Sequence, residues 1–219
     1  MQHDAADRPR LRRVPQQSRS RDRVERILDT AASQVVAQGV EAVGTRSIAE
    51  AAGVPVASLY QYFADKDDIL LALVERDIEA MDARVQADLA ALPRYSIRTI
   101  VEATLGAFVA VYRERPAFVT IYLRGRTNAA IEEFCRAHNR DIARALFDLA
   151  SDLGLLVEGA GPTPAEIAVE MGDRLFQLAF QSDMDGDPEV IGEASKVLTA
   201  YLELIASPAG IEGVRGPDA

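Results

Sequence analysis

Few side chains in this sequence have the types and spacing needed for covalent or metal chemistry. Cys135 and His138 lie three residues apart in a helical pattern and could pass for a ligand pair. A zinc site uses three or four protein ligands, and this chain carries one cysteine and two histidines. Core packing is the other reading of both. Asp183, Asp185 and Asp187 alternate as in a calcium loop, yet the glycine comes early and Ala194 stands where the bidentate Glu belongs. That run reads as a helix connection. No Ser/His/Asp constellation, phosphate-cradling glycine loop or dinucleotide fingerprint occurs. His3 and His138 offer little general-base capacity at neutral pH. The expectation is no enzyme, no cofactor and no metal.

What remains is hydrogen-bonding chemistry, concentrated in GTRSIAEAAGVPVASLYQYF, residues 44–63. Thr45 is placed to cap a short helix with Ile48, Ala49 and Ala52 inward and Arg46 and Ser47 exposed. Gly53 suits the left-handed turn that ends it, and Pro55 suits the first position of a second helix running to Phe63. Leu59 and Phe63 form that helix's inward stripe. Val56, Ser58, Gln61 and Tyr62 are then left outside, with Tyr60 at the boundary. Such a short helix fits the major groove of double-stranded DNA. Ser58 and Gln61 would bond base edges, and Val56 and Ala57 would pack on thymine methyls. Thr45, Tyr62 and Lys66 would hold phosphates. The two tyrosines also read as packing aromatics, although Leu59 and Phe63 already fill the inward stripe.

These residues resemble the TetR family of bacterial repressors. The Thr-started helix at Thr45, the turn Ala52-Gly53-Val54, the run Leu59-Tyr60-Gln61-Tyr62-Phe63 and the nearby Lys66 recur there together. The resemblance covers about residues 20–70. Pro55 and Val56 depart from it, since relatives often carry Ser or Thr and then a polar residue there. The resemblance implies that Arg46 and Tyr60 also reach DNA, that the rest of the chain binds a small effector, and that the last helices pair two subunits.

Every element that must position these groups reads as a helix, about nine in all. Val24, Ile27, Leu28, Ala31, Ala32, Val35 and Val36 make one face of a helix ending at Gly39. Asp65 caps a lever-like helix that carries Ile69, Leu70, Leu73, Val74, Ile78, Met81, Val85 and Leu89 and closes at Pro93. Helices follow over 97–115, 117–124, 127–154, 164–182 and 188–206, and no convincing strand appears. Thr163-Pro164-Ala165-Glu166 reads as a capping box.

Two further sites are candidates. Phe108, Tyr112, Phe118, Tyr122, Phe134, Phe147, Phe176 and Phe180, with His138, are the ligand-binding candidates. Ordinary core packing explains each ring individually as well. Met171, Leu175 and Leu178 on one helix and Val190, Ala194, Val197, Leu198, Tyr201 and Leu202 on the next are the dimer-interface candidates.

The net charge of −10 seems to disfavour DNA, but residues 1–70 hold ten Lys/Arg against ten Asp/Glu, so the acidic excess lies beyond them. Eight arginines between Arg8 and Arg26 face only Asp22 and Glu25, which makes residues 1–20 either a phosphate-tracking arm or a solvated tail. The arginines break up any signal peptide, a single cysteine forms no internal disulfide, and no apolar run is long enough for a membrane span. The expected layout is a basic disordered arm over 1–20, a DNA-binding head over 21–66, an effector-binding and dimerisation body over 67–206 and a disordered tail over 207–219. The chain thus reads as a cytoplasmic, homodimeric, all-α regulator. It would be a repressor released from a near-palindromic operator by a small-molecule effector. The alternative is an effector-free DNA-bound scaffold using the body for protein contacts.

Overall fold

The computed structural model describes residues 18–124 and 128–216. Among them the chain is helical nearly throughout, and it divides into two compact units. The basic arm expected over 1–20 lies outside the described residues, apart from its last three positions, which open the first helix.

The first unit comprises residues up to Asp77 together with Pro116–Ile131. Helix α1 (Ser18–Gln38) buries Val24, Ile27, Leu28, Ala31 and Val35, the i, i+3, i+4 series of the sequence, and leaves Val36 half exposed. It stops at Gly39, whose φ of 81° suits a residue without Cβ. A single 3₁₀ turn over Val40–Ala42 leads to α2 (Thr45–Ala51) and α3 (Val56–Leu59). The lever helix α4 (Lys66–Ala90) is 25 residues long. Its start is fixed as the sequence implies: Asp65 Oδ1 accepts from the Asp68 amide at 3.0 Å, and Asp68 Oδ2 accepts from the Ala64 amide at 2.7 Å. Arg76 on α4 donates to Asp29 (2.7 Å) and Glu25 (3.1 Å) of α1. The expected boundary at residue 66 is therefore too early, because the first three turns of α4 pack with the head. So do α6 (Pro116–Phe118) and a π-helical stretch (Val119–Leu123), which lie against α1. Local helical pattern gives no hint of that long-range packing.

The second unit holds the rest of α4, α5 (Ile97–Glu114), most of α7 (Ala129–Asp152), α8 (Thr163–Ala179) and α9 (Pro188–Glu203). Ser96 and Thr99 form the capping box of α5, and Asp187 caps α9. Thr163 does not cap α8: Pro162 occupies that position and Thr163 is already helical. Residues 207–216, expected as a disordered tail, are folded. Ser207 caps α10 (Pro208–Glu212), and a two-residue strand β2 (Val214–Arg215) pairs antiparallel with β1 (Arg94–Tyr95). Gly210 makes this possible, since a Cβ there would come within 2.1 Å of the Leu155 carbonyl oxygen.

Candidate nucleic-acid interface

Helices α2 and α3 are seven and four residues long, too short to hold a shape alone, and their inward side chains anchor them. Ile48, Ala49 and Leu59 are fully buried and Phe63 nearly so, while Gly53 (φ 62°) makes the turn between the helices. Arg46, Ala57, Tyr60 and Gln61 are exposed, and Thr45, Val56, Ser58 and Lys66 are half-buried. The polar groups of the motif thus keep access to solvent over its apolar seam.

Three details differ from the sequence reading. The α-helix of the reading segment ends at Leu59 instead of Phe63. Beyond it the chain tightens into turns, with the Gln61 amide donating to Ser58 O and the Tyr62 amide to Leu59 O. At three residues per turn, side chains three apart eclipse one another. Tyr62 turns inward and is 4% exposed, with its hydroxyl on Ser20, whereas Tyr60, placed at the boundary by a 3.6-residue period, is 42% exposed. Thr45 is not the cap of α2 either. Gly44 holds that position without a side chain, and Ser47 supplies the bonds.

Polar links hold the three short elements together pairwise. Ser20 Oγ and the Tyr62 hydroxyl share a hydrogen bond of 2.7 Å between α1 and the end of the reading segment. Thr45 Oγ1 and the Tyr60 hydroxyl share one of 3.1 Å between α2 and α3. Gln34 of α1 exchanges two with Ser47 of α2. Lys66 Nζ donates to Val40 O at 3.2 Å, leaving two of its three protons for other acceptors.

The aromatic candidates divide between the two units. Phe108, Tyr112, Phe176 and Phe180 pack mutually in the second, with Tyr112 edge-on to Phe176 and Phe180 at 5.2 Å each. Phe118 and Tyr122 pair at 5.5 Å in the first. Phe134, Phe147 and His138 are half-buried on α7. His138 Nε2 lies 3.3 Å from Asp82 Oδ1. Burial lowers the His138 pKa despite the opposing pull of Asp82 and Asp141. A cleft of about 520 Å³ opens between α7 and α8, lined by charged side chains with Ile167 and Met171 and by none of the aromatic candidates.

Cys135 is 2% exposed, and burial, with Asp173 nearby, pushes its thiol up to about 12. Native Cys135 is therefore expected to be alkylated by iodoacetamide at pH 8 on the order of 1,000-fold more slowly than an ordinary thiol, and at full rate in denaturant. Mass spectrometry on a time course checks this. Equal rates in the two conditions would place the thiol at the surface.

On the α8 and α9 faces, Ala194 and Leu198 are buried within the chain, and a Cβ on Gly172 of α8 would sit 3.5 Å from Leu198 Cδ1. Both belong to the core and not to an outward face, which corrects the sequence assignment. Ile167, Leu178 and Val197 are 43–50% exposed, and Met171, Leu175, Val190, Tyr201 and Leu202 are half-buried.

Comparison with known proteins decides the family. Residues 27–73 match the model of the bacterial regulatory proteins of the tetR family, and residues 95–206 match the tetracyclin repressor-like C-terminal domain. The chain belongs to the TetR family. It is a transcriptional regulator and not an enzyme. It is 42% identical over 64 residues to the transcriptional repressor KstR of Mycolicibacterium smegmatis, a match spanning 29% of this chain and 31% of that repressor. A TetR-family regulator from Streptomyces coelicolor is similar over 84% of this chain and 98% of its own, at 31% identity and a TM-score of 0.67. SmeT, the repressor of the multidrug efflux pump SmeDEF in Stenotrophomonas maltophilia, shares the fold at 22% identity and a TM-score of 0.60, covering 90% of this chain and 95% of its own. A structure of SmeT with triclosan, at 24% identity and a TM-score of 0.58, covers 90% of this chain and 97% of that one. Among the described residues no helix is long and apolar enough to cross a membrane. Sequence reasoning within the family motif missed Ser20, Gln34 and Ser47 as structural partners, because side-chain bonds across 13 to 42 residues leave no periodic signal.

Proposed function

We propose that this chain is a repressor that binds a near-palindromic operator as a homodimer and leaves it when a small apolar molecule enters the body. The observation that carries the reading is the face of α2 and α3, on which Arg46, Ala57, Tyr60 and Gln61 are exposed above a fully buried Ile48 and Leu59. Ser58 and Gln61 bond base edges, and Val56 and Ala57 pack on thymine methyls. Thr45, Arg46, Tyr60 and Lys66 hold phosphates, as does the hydroxyl of the largely buried Tyr62. KstR and SmeT, both repressors by name, support the sign of the regulation, and the SmeT–triclosan complex supports an apolar effector. The outward residues of α8 and α9, Leu178 and Val197 above all, form the subunit contact.

Helix α4 runs unbroken from Lys66 at the reading head into the second unit, and it is the element through which an effector in the body would act on the head. The effector must prefer the non-binding packing, because a ligand of equal affinity for both states shifts nothing. Its action is to move the two reading helices out of step with half-sites about 34 Å apart.

A binding-site selection from random-sequence DNA tests the reading. Tyr62→Phe and Lys66→Met are expected to weaken binding on every selected sequence alike, and Gln61→Ala to relax preference at one base position, each by about 1–3 kcal/mol at most. A selection that enriches no sequence, or three variants with the same loss of preference, would sink the assignment.

A further inference from the structure

The geometry points to Gln34 as a positioning residue of the DNA interface, acting through Ser47. Helix α2 starts at Gly44, which has no side chain to satisfy the free amides of a helix start. Ser47 Oγ substitutes for it, accepting from the Gly44 amide at 3.3 Å and lying 2.9 Å from Gly44 O. Gln34, in the penultimate turn of α1, grips this same residue at two points. Its Nε2 donates to Ser47 O at 3.1 Å, and its Oε1 lies 3.0 Å from Ser47 Oγ, whose single proton it shares with Gly44 O. A backbone carbonyl can only accept, so the amide orientation is fixed by its partner. A two-point bond sets angle as well as distance. The apolar side chains where α1 and α2 meet, with Val35, Ile48 and Ala49 fully buried, pack without direction, and they leave rotation of a seven-residue helix to be set by something else. Thr45 and Arg46 stand immediately before Ser47, so the angle that Gln34 fixes is the angle at which those two meet phosphate. Gln34 itself touches no DNA in this role.

The role rests on Thr45 and Arg46 being DNA contacts, and the test keeps the two apart. The probe is a duplex selected from random-sequence DNA by the wild-type chain. Affinity is measured by fluorescence anisotropy over a series of salt concentrations, with melting temperature measured on the same samples. Gln34→Glu keeps the shape but sets a carboxylate oxygen, which can only accept, against Ser47 O, and Gln34→Met keeps the length and asks for no partner. Both are expected to lose about tenfold in affinity, and their log affinity to fall less steeply with log salt by about one unit, as when one phosphate contact is lost. Ser47→Ala behaves likewise and Ser47→Thr restores binding. In a background carrying both Thr45→Ala and Arg46→Ala, Gln34→Met costs less than about twofold more, because the contacts it positions are already gone.

Wild-type affinity and salt slope in both Gln34 variants, with Arg46→Ala impaired, overturn the positioning role alone. Losses that multiply with the Thr45→Ala, Arg46→Ala pair, or that vanish once folded fractions are equalised, assign Gln34 to stability only and overturn it too. Full affinity in both Thr45→Ala and Arg46→Ala overturns the DNA-contact reading, and the role of Gln34 with it.

Discussion

Leu198→Glu will unfold the second unit, while Val197→Glu, one position earlier on the same helix, will leave a folded chain that no longer forms the proposed dimer. Leu198 is 4% exposed against α8, and its replacement buries a carboxylate with no partner. That costs several kcal/mol, roughly the whole stability of a domain at about 5–15 kcal/mol. Val197 is 44% exposed, so a charge there costs the isolated chain little. In the proposed dimer the same charge meets an apolar partner face. The subunits then separate, and half-sites are engaged singly, with a loss of about 100-fold or more in operator affinity. Light scattering and far-ultraviolet circular dichroism on one sample separate the cases. A Val197→Glu protein that stays a dimer puts the subunit contact somewhere other than this face.

That contrast between adjacent residues shows where sequence reading reaches its limit. The helical period says which residues of α9 are apolar, and it brought Ala194, Val197, Leu198 and Tyr201 together as one wide face. Which half of a wide face meets the chain's own α8 depends on the α8 approach, and the buried Gly172 that permits it is a packing fact without a periodic signature. The reading head was legible in more detail, because its turn requires a glycine at positive φ and its inward stripe requires Leu59 and Phe63. The family motif supplied the rest. Even there one assumption misplaced a side chain: a constant 3.6-residue period sent Tyr62 outward, and tightening after Leu59 turned it in. Residues 207–216 failed for a different reason. Gly, Pro and Ser read as a tail, but here they are a cap, a helix start and a close approach to Leu155.

The aromatic cluster gives the other large expected effect, and it decides between core and effector site. Phe176 is 2% exposed, with ring centroids of Tyr112 at 5.2 Å, Phe108 at 5.7 Å and Phe180 at 6.5 Å. Edge-on rings at these separations fill the space between them. Gly186 closes one side, where a Cβ would lie 2.8 Å from the Phe180 ring. Phe176→Ala is therefore expected to cost about 3–5 kcal/mol through lost transfer energy and the void left behind, and to lower the melting temperature by about 10 °C or more. The void is apolar, so benzene or indole at millimolar concentration should recover part of the loss in the variant and do nothing for the wild type. The opposite pattern has an equally clear meaning. If Phe176→Ala costs less than about 1 kcal/mol, and the wild type itself is stabilised by such ligands, these four rings line a pre-existing space. The effector would then enter between α5 and α8. The size of the loss and the chain that the ligand stabilises are independent readouts, and packing with no void requires a large loss together with rescue of the variant alone.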